Sequence, residues 1–135
     1  MADHLTIGEI AERTGLSVHT LRFYEREGLF ARRVERDAGG RRLYTVGDVE
    51  WLDVCVLLRA SGMPLPDIRR YAELVSQGGG TEDERLKLMR AHRERVLARL
   101  EELNRALDLI TFKVGVYEDR LESRPPGREC RVSSI

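Results

Sequence analysis

Apolar positions recur at helical spacing through most of this chain, with one short stretch that breaks the pattern. Ile7, Ile10 and Ala11 form the first inward face. It opens on a capping box, in which Thr6 and Glu9 each satisfy the other residue's unpaired backbone N–H. Gly15 closes this helix, because a residue tolerant of positive φ belongs there. Leu16, Leu21 and Tyr24 then fall on the inward side of a second helix, which Gly28 terminates. Small residues at Ala11 and Gly15 suit two helices that cross closely over a tight turn. The interruption runs from Ala31 to Tyr44, where strand-like flanks surround an Asp37-Ala38-Gly39-Gly40 turn and predict a hairpin.

A second helical pair follows. Thr45 and Asp48 form another capping box, opening a helix through Val49, Leu52, Val56 and Leu57 to Ala60, and Ser61-Gly62 breaks it. Pro66 suits the first turn of the next helix, whose apolar face is Ile68, Tyr71, Ala72 and Val75. Glycines 78–80 punctuate the chain, and Thr81 with Glu84 predicts a third capping box. The helix beyond is long. Met89, Val96, Leu103, Ile110 and Tyr117 recur every seven residues, interleaved with Leu86, Leu100, Leu107, Val114 and Leu121; Arg93 alone interrupts the second series. That is an a/d seam over about five heptads, along a helix on the order of 60 Å long. No second long helix is available within the chain, so the seam predicts pairing with another copy. The expected organisation is therefore residues 1–76 as one domain, 77–80 as linker, 81–121 as dimerisation helix and 122–135 as a flexible polar tail.

Charge sharpens the reading of the first segment. Formal net charge is zero, from 23 basic and 23 acidic residues, so attraction to a polyanion must be local. The predicted hairpin supplies it, with Arg32, Arg33, Arg36, Arg41 and Arg42 against Glu35 and Asp37. Arginine forks onto phosphate and enters narrow minor grooves. A short helix beside such a hairpin is the equipment of a winged helix-turn-helix. Ser17, His19, Thr20, Arg22 and Phe23 stand at the start or outer faces of its second helix, the part that meets base edges and phosphates. Tyr24, Arg41, Arg42 and Tyr44 are the candidates for backbone or wing contacts, with Arg32 and Arg33 beside them. The bland alternative, an ordinary helical hairpin with a solvated charged loop, does not require the two devices side by side.

The run from Leu5 to Leu29, which includes Thr20-Leu-Arg-Phe-Tyr-Glu25, resembles the MerR family of bacterial transcription regulators. Gly40-Arg-Arg-Leu-Tyr44, Asp48-Val-Glu-Trp-Leu52 and the run from Leu58 to Ile68 continue the resemblance in order. Two departures stand out: Phe23 replaces a tyrosine of the family's hallmark, and Phe30-Ala31 stands where a proline usually leads into the wing. The resemblance implies a mainly α fold, a winged helix-turn-helix with a small β-hairpin followed by an antiparallel coiled-coil dimerisation helix. It implies a homodimer on a palindromic promoter operator, which bends and untwists DNA so that RNA polymerase engages both promoter elements. It also implies a phosphate-facing role for Arg59 or Tyr44.

The expected signal is harder to read. No separate effector-binding domain is expected after the long helix. Metal-sensing relatives place thiolates around the dimerisation helix, whereas here only Cys130 lies beyond it, so neither a metal nor another cofactor is expected. His92 reads as a solvated or rim histidine. Cys55 has two readings: a buried small hydrophobe, or a sensor of aldehyde or thiol stress, as in a short-chain branch of the family, with Arg59 as its neighbouring cation. No catalytic constellation stands out among His4, His19 and His92, and catalysis is not expected. No signal region or transmembrane run is present, which points to the bacterial cytoplasm and nucleoid. The alternatives are a DNA-architectural or excisionase-like winged-helix protein without effector, and a coiled-coil interaction module with no DNA role.

Overall fold

A computed structural model describes residues 4–125. Cys130 and most of the expected polar tail lie outside the described residues. The order of elements is α1 (Ile7–Thr14), α2 (Val18–Arg26), β1 (Glu35–Arg36), β2 (Arg42–Leu43), α3 (Val46–Ala60), α4 (Leu65–Ser76) and α5 (Glu82–Glu122). The chain divides into two units, Met1–Val96 and Leu97–Ile135.

In the first unit the local signals act as their chemistry dictates. Thr6 and Glu9 form the reciprocal capping box of α1, and Gly15 closes the helix at φ 73°. Ser17 caps α2 by accepting from the Thr20 amide; such a cap contributes about 1 kcal/mol. The hairpin turn closes through Gly40 at φ 80°, while Asp37 Oδ1 accepts from the amides of Gly39 and Arg41. β1 and β2 pair antiparallel, Glu35 opposite Leu43 and Arg36 opposite Arg42. An isolated bridge extends this pairing to the amino-terminal segment, with Leu5 and Tyr44 exchanging backbone hydrogen bonds of 2.7 and 2.9 Å.

The core unites Leu5, Ile10, Leu21, Tyr24, Leu29, Val34, Tyr44, Leu52, Cys55, Met63 and Ile68. Each fully buried aliphatic side chain stabilises by about 1.5–3 kcal/mol. One carboxylate sits among them. Asp48 is 3% exposed and completes the α3 capping box with Thr45. It also receives the fork of Arg32, Nε at 3.0 Å and Nη2 at 2.5 Å. Arg32 therefore ties the chain entering the wing to the first turn of α3.

Several expectations are corrected. Leu57 is not an inward residue: it is 70% exposed, because α3 turns the face bearing Asp48, Leu52 and Cys55 to the core. Thr81 does not form the expected capping box; its hydroxyl donates to the Leu74 carbonyl at 2.8 Å, and Glu84 pairs with Arg70. His92 is buried rather than solvated. Its Nε2 lies 2.7 Å from Ser61 Oγ, whose proton goes to the Leu58 carbonyl. The imidazole Nε2–H is thereby the donor to Ser61, and Nδ1 faces Arg95 at 3.4 Å. The first turns of α5 belong to this unit, with Leu88 and Met89 packed on its core.

In the second unit the described residues are helical as far as Glu122. Leu100, Leu103, Leu107, Ile110, Val114, Tyr117 and Leu121 are all substantially exposed in the single chain.

Replacing Arg32 with alanine strands the buried Asp48 carboxylate. Urea unfolding followed by circular dichroism is expected to show a loss of about 3 kcal/mol, the lower end for a broken buried pair because Arg32 is partly solvated. Arg33→Ala should stay within about 0.5 kcal/mol of the parent.

Candidate nucleic-acid interface

The outer face of α2 carries the candidate readers. Its inward side is consumed by Leu21 and Tyr24, which leaves His19, Arg22 and Arg26 exposed at steps of three and four residues. Ser17 and Thr20 stand at the amino-terminal end, their hydroxyls 2.9 Å apart. Phe23 is half-buried against the core, with the Arg26 guanidinium 5.7 Å over its ring.

The tether of this helix to the rest of the unit is polar and well distributed. Trp51 Nε1 donates to the Leu29 carbonyl at 2.7 Å, and Trp51 itself stacks on Tyr71 with centroids 5.5 Å apart. Arg69 grips the end of α2 through both the carbonyl and the carboxylate of Glu27, at 2.7 and 2.9 Å. Glu25 reaches the wing, pairing with Arg42 Nε and approaching Arg36 Nη2 at 3.8 Å. An open groove lies between the end of α2 and the wing, lined in part by Glu25, Gly28, Arg33, Glu35 and Arg36.

The predicted DNA-facing residues separate into three groups. His19, Arg22, Arg33, Arg41 and Arg59 are exposed, and none of them forms an ion pair among the described residues. Ser17, Thr20, Phe23, Arg32 and Arg42 are engaged with neighbours of their own chain. Tyr24 and Tyr44 are buried. Tyr44 has no exposed surface, so in the free chain it is a core residue; its hydroxyl makes no hydrogen bond among the described residues. Burial holds both phenols above their ordinary value, with Cys55 adding to the rise at Tyr24 and Glu25 at Tyr44. Glu25 and Asp48 are the residues that sequence reasoning missed as organisers of the site. The Glu25 signal was present only as the last residue of a hallmark, and Asp48 was read simply as a cap.

Cys55 sits 1% exposed beneath the loop that follows α2, with its thiol 3.8 Å from the Leu29 carbonyl. Burial pushes the thiol up to about 12, and Arg59, expected as its activating cation, acts on Tyr24 instead. These surroundings fit the buried-hydrophobe reading and oppose the sensor reading, since a reactive thiol needs exposure and a stabilised thiolate. Among the described residues no group of three or more His, Cys, Asp or Glu side chains is placed to hold a metal ion. No described helix is long and apolar enough to cross a membrane.

A capped helix pair, a short arginine-bearing wing and a second helix pair together define a winged helix-turn-helix DNA-binding protein. The chain belongs to the MerR family: residues 5–74 match the MerR HTH family regulatory proteins, and residues 49–111 match the MerR DNA-binding family. An uncharacterized HTH-type transcriptional regulator of Haemophilus influenzae is 41% identical over 113 residues, covering 84% of this chain and 83% of the relative. The solved structure of HiNmlR, a MerR family regulator lacking the sensor domain and bound to promoter DNA, superposes with a TM-score of 0.78. It shares 38% identity, over 90% of this chain and 95% of that one. A MerR family regulator from Listeria monocytogenes superposes with a TM-score of 0.81 at 30% identity, over 87% and 88% of the two chains. The chain is thus a DNA-binding transcription regulator of MerR type.

The folded-state thiol value lies above the unfolded one, so its contribution to stability is complete below pH 9.0 and is lost as pH rises toward about 12. At mildly alkaline pH, a Cys130→Ser chain should therefore react with a disulfide reagent such as DTNB on the order of 1000-fold more slowly when native than when unfolded in urea. Equal rates would restore Cys55 as a candidate sensor.

Proposed function

We propose that the chain acts as a homodimer on a palindromic promoter operator, in the cytoplasm, and distorts that DNA so that RNA polymerase engages the promoter. One observation carries the DNA-facing part of this reading. Arg22 on α2, Arg33 and Arg41 on the wing and Arg59 at the end of α3 are exposed and stand outside the internal ion pairs, with His19 exposed beside Arg22 on α2. A neutral chain with unpaired arginines on its reading helix and wing concentrates its field where a phosphate backbone would lie. That a related regulator is bound to promoter DNA supports the same reading.

The dimer rests on the seam of α5. Leu103, Leu107, Ile110 and Leu121 are each more than half exposed, an apolar stripe that a single chain leaves in water. Pairing the helix with its copy, antiparallel, covers Val96, Leu100, Leu103, Leu107, Ile110, Val114, Tyr117 and Leu121, while Met89 already packs on its own unit. Two copies also present two reading helices to a two-fold operator. A DNA-architectural or excisionase-like protein acting as a single chain would leave that stripe uncovered.

Footprinting on the gene's own upstream region should protect a palindromic site. Arg22→Ala should weaken binding to it by roughly 1–3 kcal/mol if the guanidinium reads a base; unchanged affinity in a mobility-shift titration would remove α2 from the groove. Light scattering should give twice the chain mass for the parent protein. Leu107→Glu should return the single-chain mass by placing a charge within the seam.

A further inference from the structure

On the reading that the chain grips DNA through α2 and the wing, we infer that Glu25 is a positioning residue. It holds the wing at a set angle to α2, and its charge thereby governs how well the chain distinguishes its operator from other DNA. The wing cannot hold its own geometry. Each strand is two residues long, and a hairpin of that size is marginal in water. Its register places Arg36 directly opposite Arg42, and like charges facing each other across a ladder are unfavourable.

Glu25 resolves both problems from the neighbouring helix. One carboxylate oxygen takes the Nε of Arg42, and the other lies 3.8 Å from Arg36 Nη2. Arg36 also donates to the Gly40 carbonyl at 3.0 Å, so the same guanidinium links carboxylate and turn. The Glu25 side chain is 23% exposed, so water screens this pairing less than it would a surface pair. The base of the wing is anchored independently through Arg32 and Asp48. Loss of Glu25 would therefore free the blade of the wing without detaching it.

The charge argument follows directly. With Glu25 in place, Arg36 and Arg42 are committed internally, and Arg33 and Arg41 are the wing arginines left for phosphate. With Glu25 neutral, two more cations become available to any DNA backbone, whatever its sequence. Phosphate contacts raise affinity without carrying sequence information. The expected result is a protein that binds DNA more tightly and discriminates less.

The test uses the full chain, a duplex carrying the footprint-protected upstream sequence, and a scrambled duplex of equal length. The parent protein should prefer the protected duplex; absence of that preference would overturn the operator reading without bearing on Glu25. Glu25→Gln preserves the side-chain shape. On the scrambled duplex, its affinity should fall between about 50 and 200 mM salt by about 12-fold more than the parent's, as two added phosphate contacts require. Its preference for the protected duplex should drop at least about 10-fold. Glu25→Asp, which keeps the charge on a shorter arm, should retain the parent's salt dependence while losing part of the preference. If Glu25→Gln merely lowers the Tm and weakens both duplexes alike, with salt dependence and preference unchanged, the residue is structural only and the inference fails. The same holds if Glu25→Asp steepens the salt dependence as the glutamine does.

Discussion

The first unit depends on one buried carboxylate. Asp48 begins as a helix cap, satisfying the Thr45 amide as Thr45 satisfies its own. With its remaining oxygen valences it takes the Arg32 fork, and so binds the start of the wing to the start of α3. A buried charge is tolerable only when its hydrogen-bonding capacity is met. Once Asp48 is buried, the position of Arg32 follows, and with it the place where the chain leaves the core for the hairpin. With Phe30-Ala31 at the entry to the wing no proline fixes φ there, and the Arg32–Asp48 tether directs the chain instead.

The arginines divide their labour accordingly. A count of basic residues in the hairpin suggests five equivalent phosphate ligands, but the structure sorts them. Arg32, Arg36 and Arg42 are internal fasteners, and Arg33 and Arg41 remain free. The same economy holds along α2, where Glu25 and Glu27 are anchors and His19 and Arg22 face outward. Equal numbers of acidic and basic residues make the chain neutral overall, and the pairing decides which wing and α2 arginines remain available to a phosphate backbone.

Local features were legible in the sequence because they depend on neighbours three or four residues away. The capping boxes at Thr6 and Thr45, the left-handed close at Gly15 and the hairpin turn over residues 37–40 all stand where spacing placed them. Tertiary partnerships were not legible. Nothing in the order of residues says that Arg42 turns back 17 positions to Glu25, or that Arg69 closes on Glu27 42 positions away. Leu57 was misplaced because its helix is apolar on more than one side, and the core selected the face that carries Asp48 and Cys55. Tyr44 is ambiguous in sequence because its aromatic ring and hydroxyl suit either a surface or a core; in the free chain the bridge to Leu5 and the contact with Phe30 bury it.

The indole of Trp51 has one more consequence. It is the sole tryptophan of the chain, and its N–H is fixed to the carbonyl of the loop that leaves α2. The ring lies against Tyr71 of α4, so a single chromophore touches the reading helix's exit and both helices that support it. Any slackening at that junction exchanges a carbonyl acceptor for water around an environment-sensitive ring. The molecule therefore carries an intrinsic optical gauge, placed at the junction between the part that reads and the part that supports it.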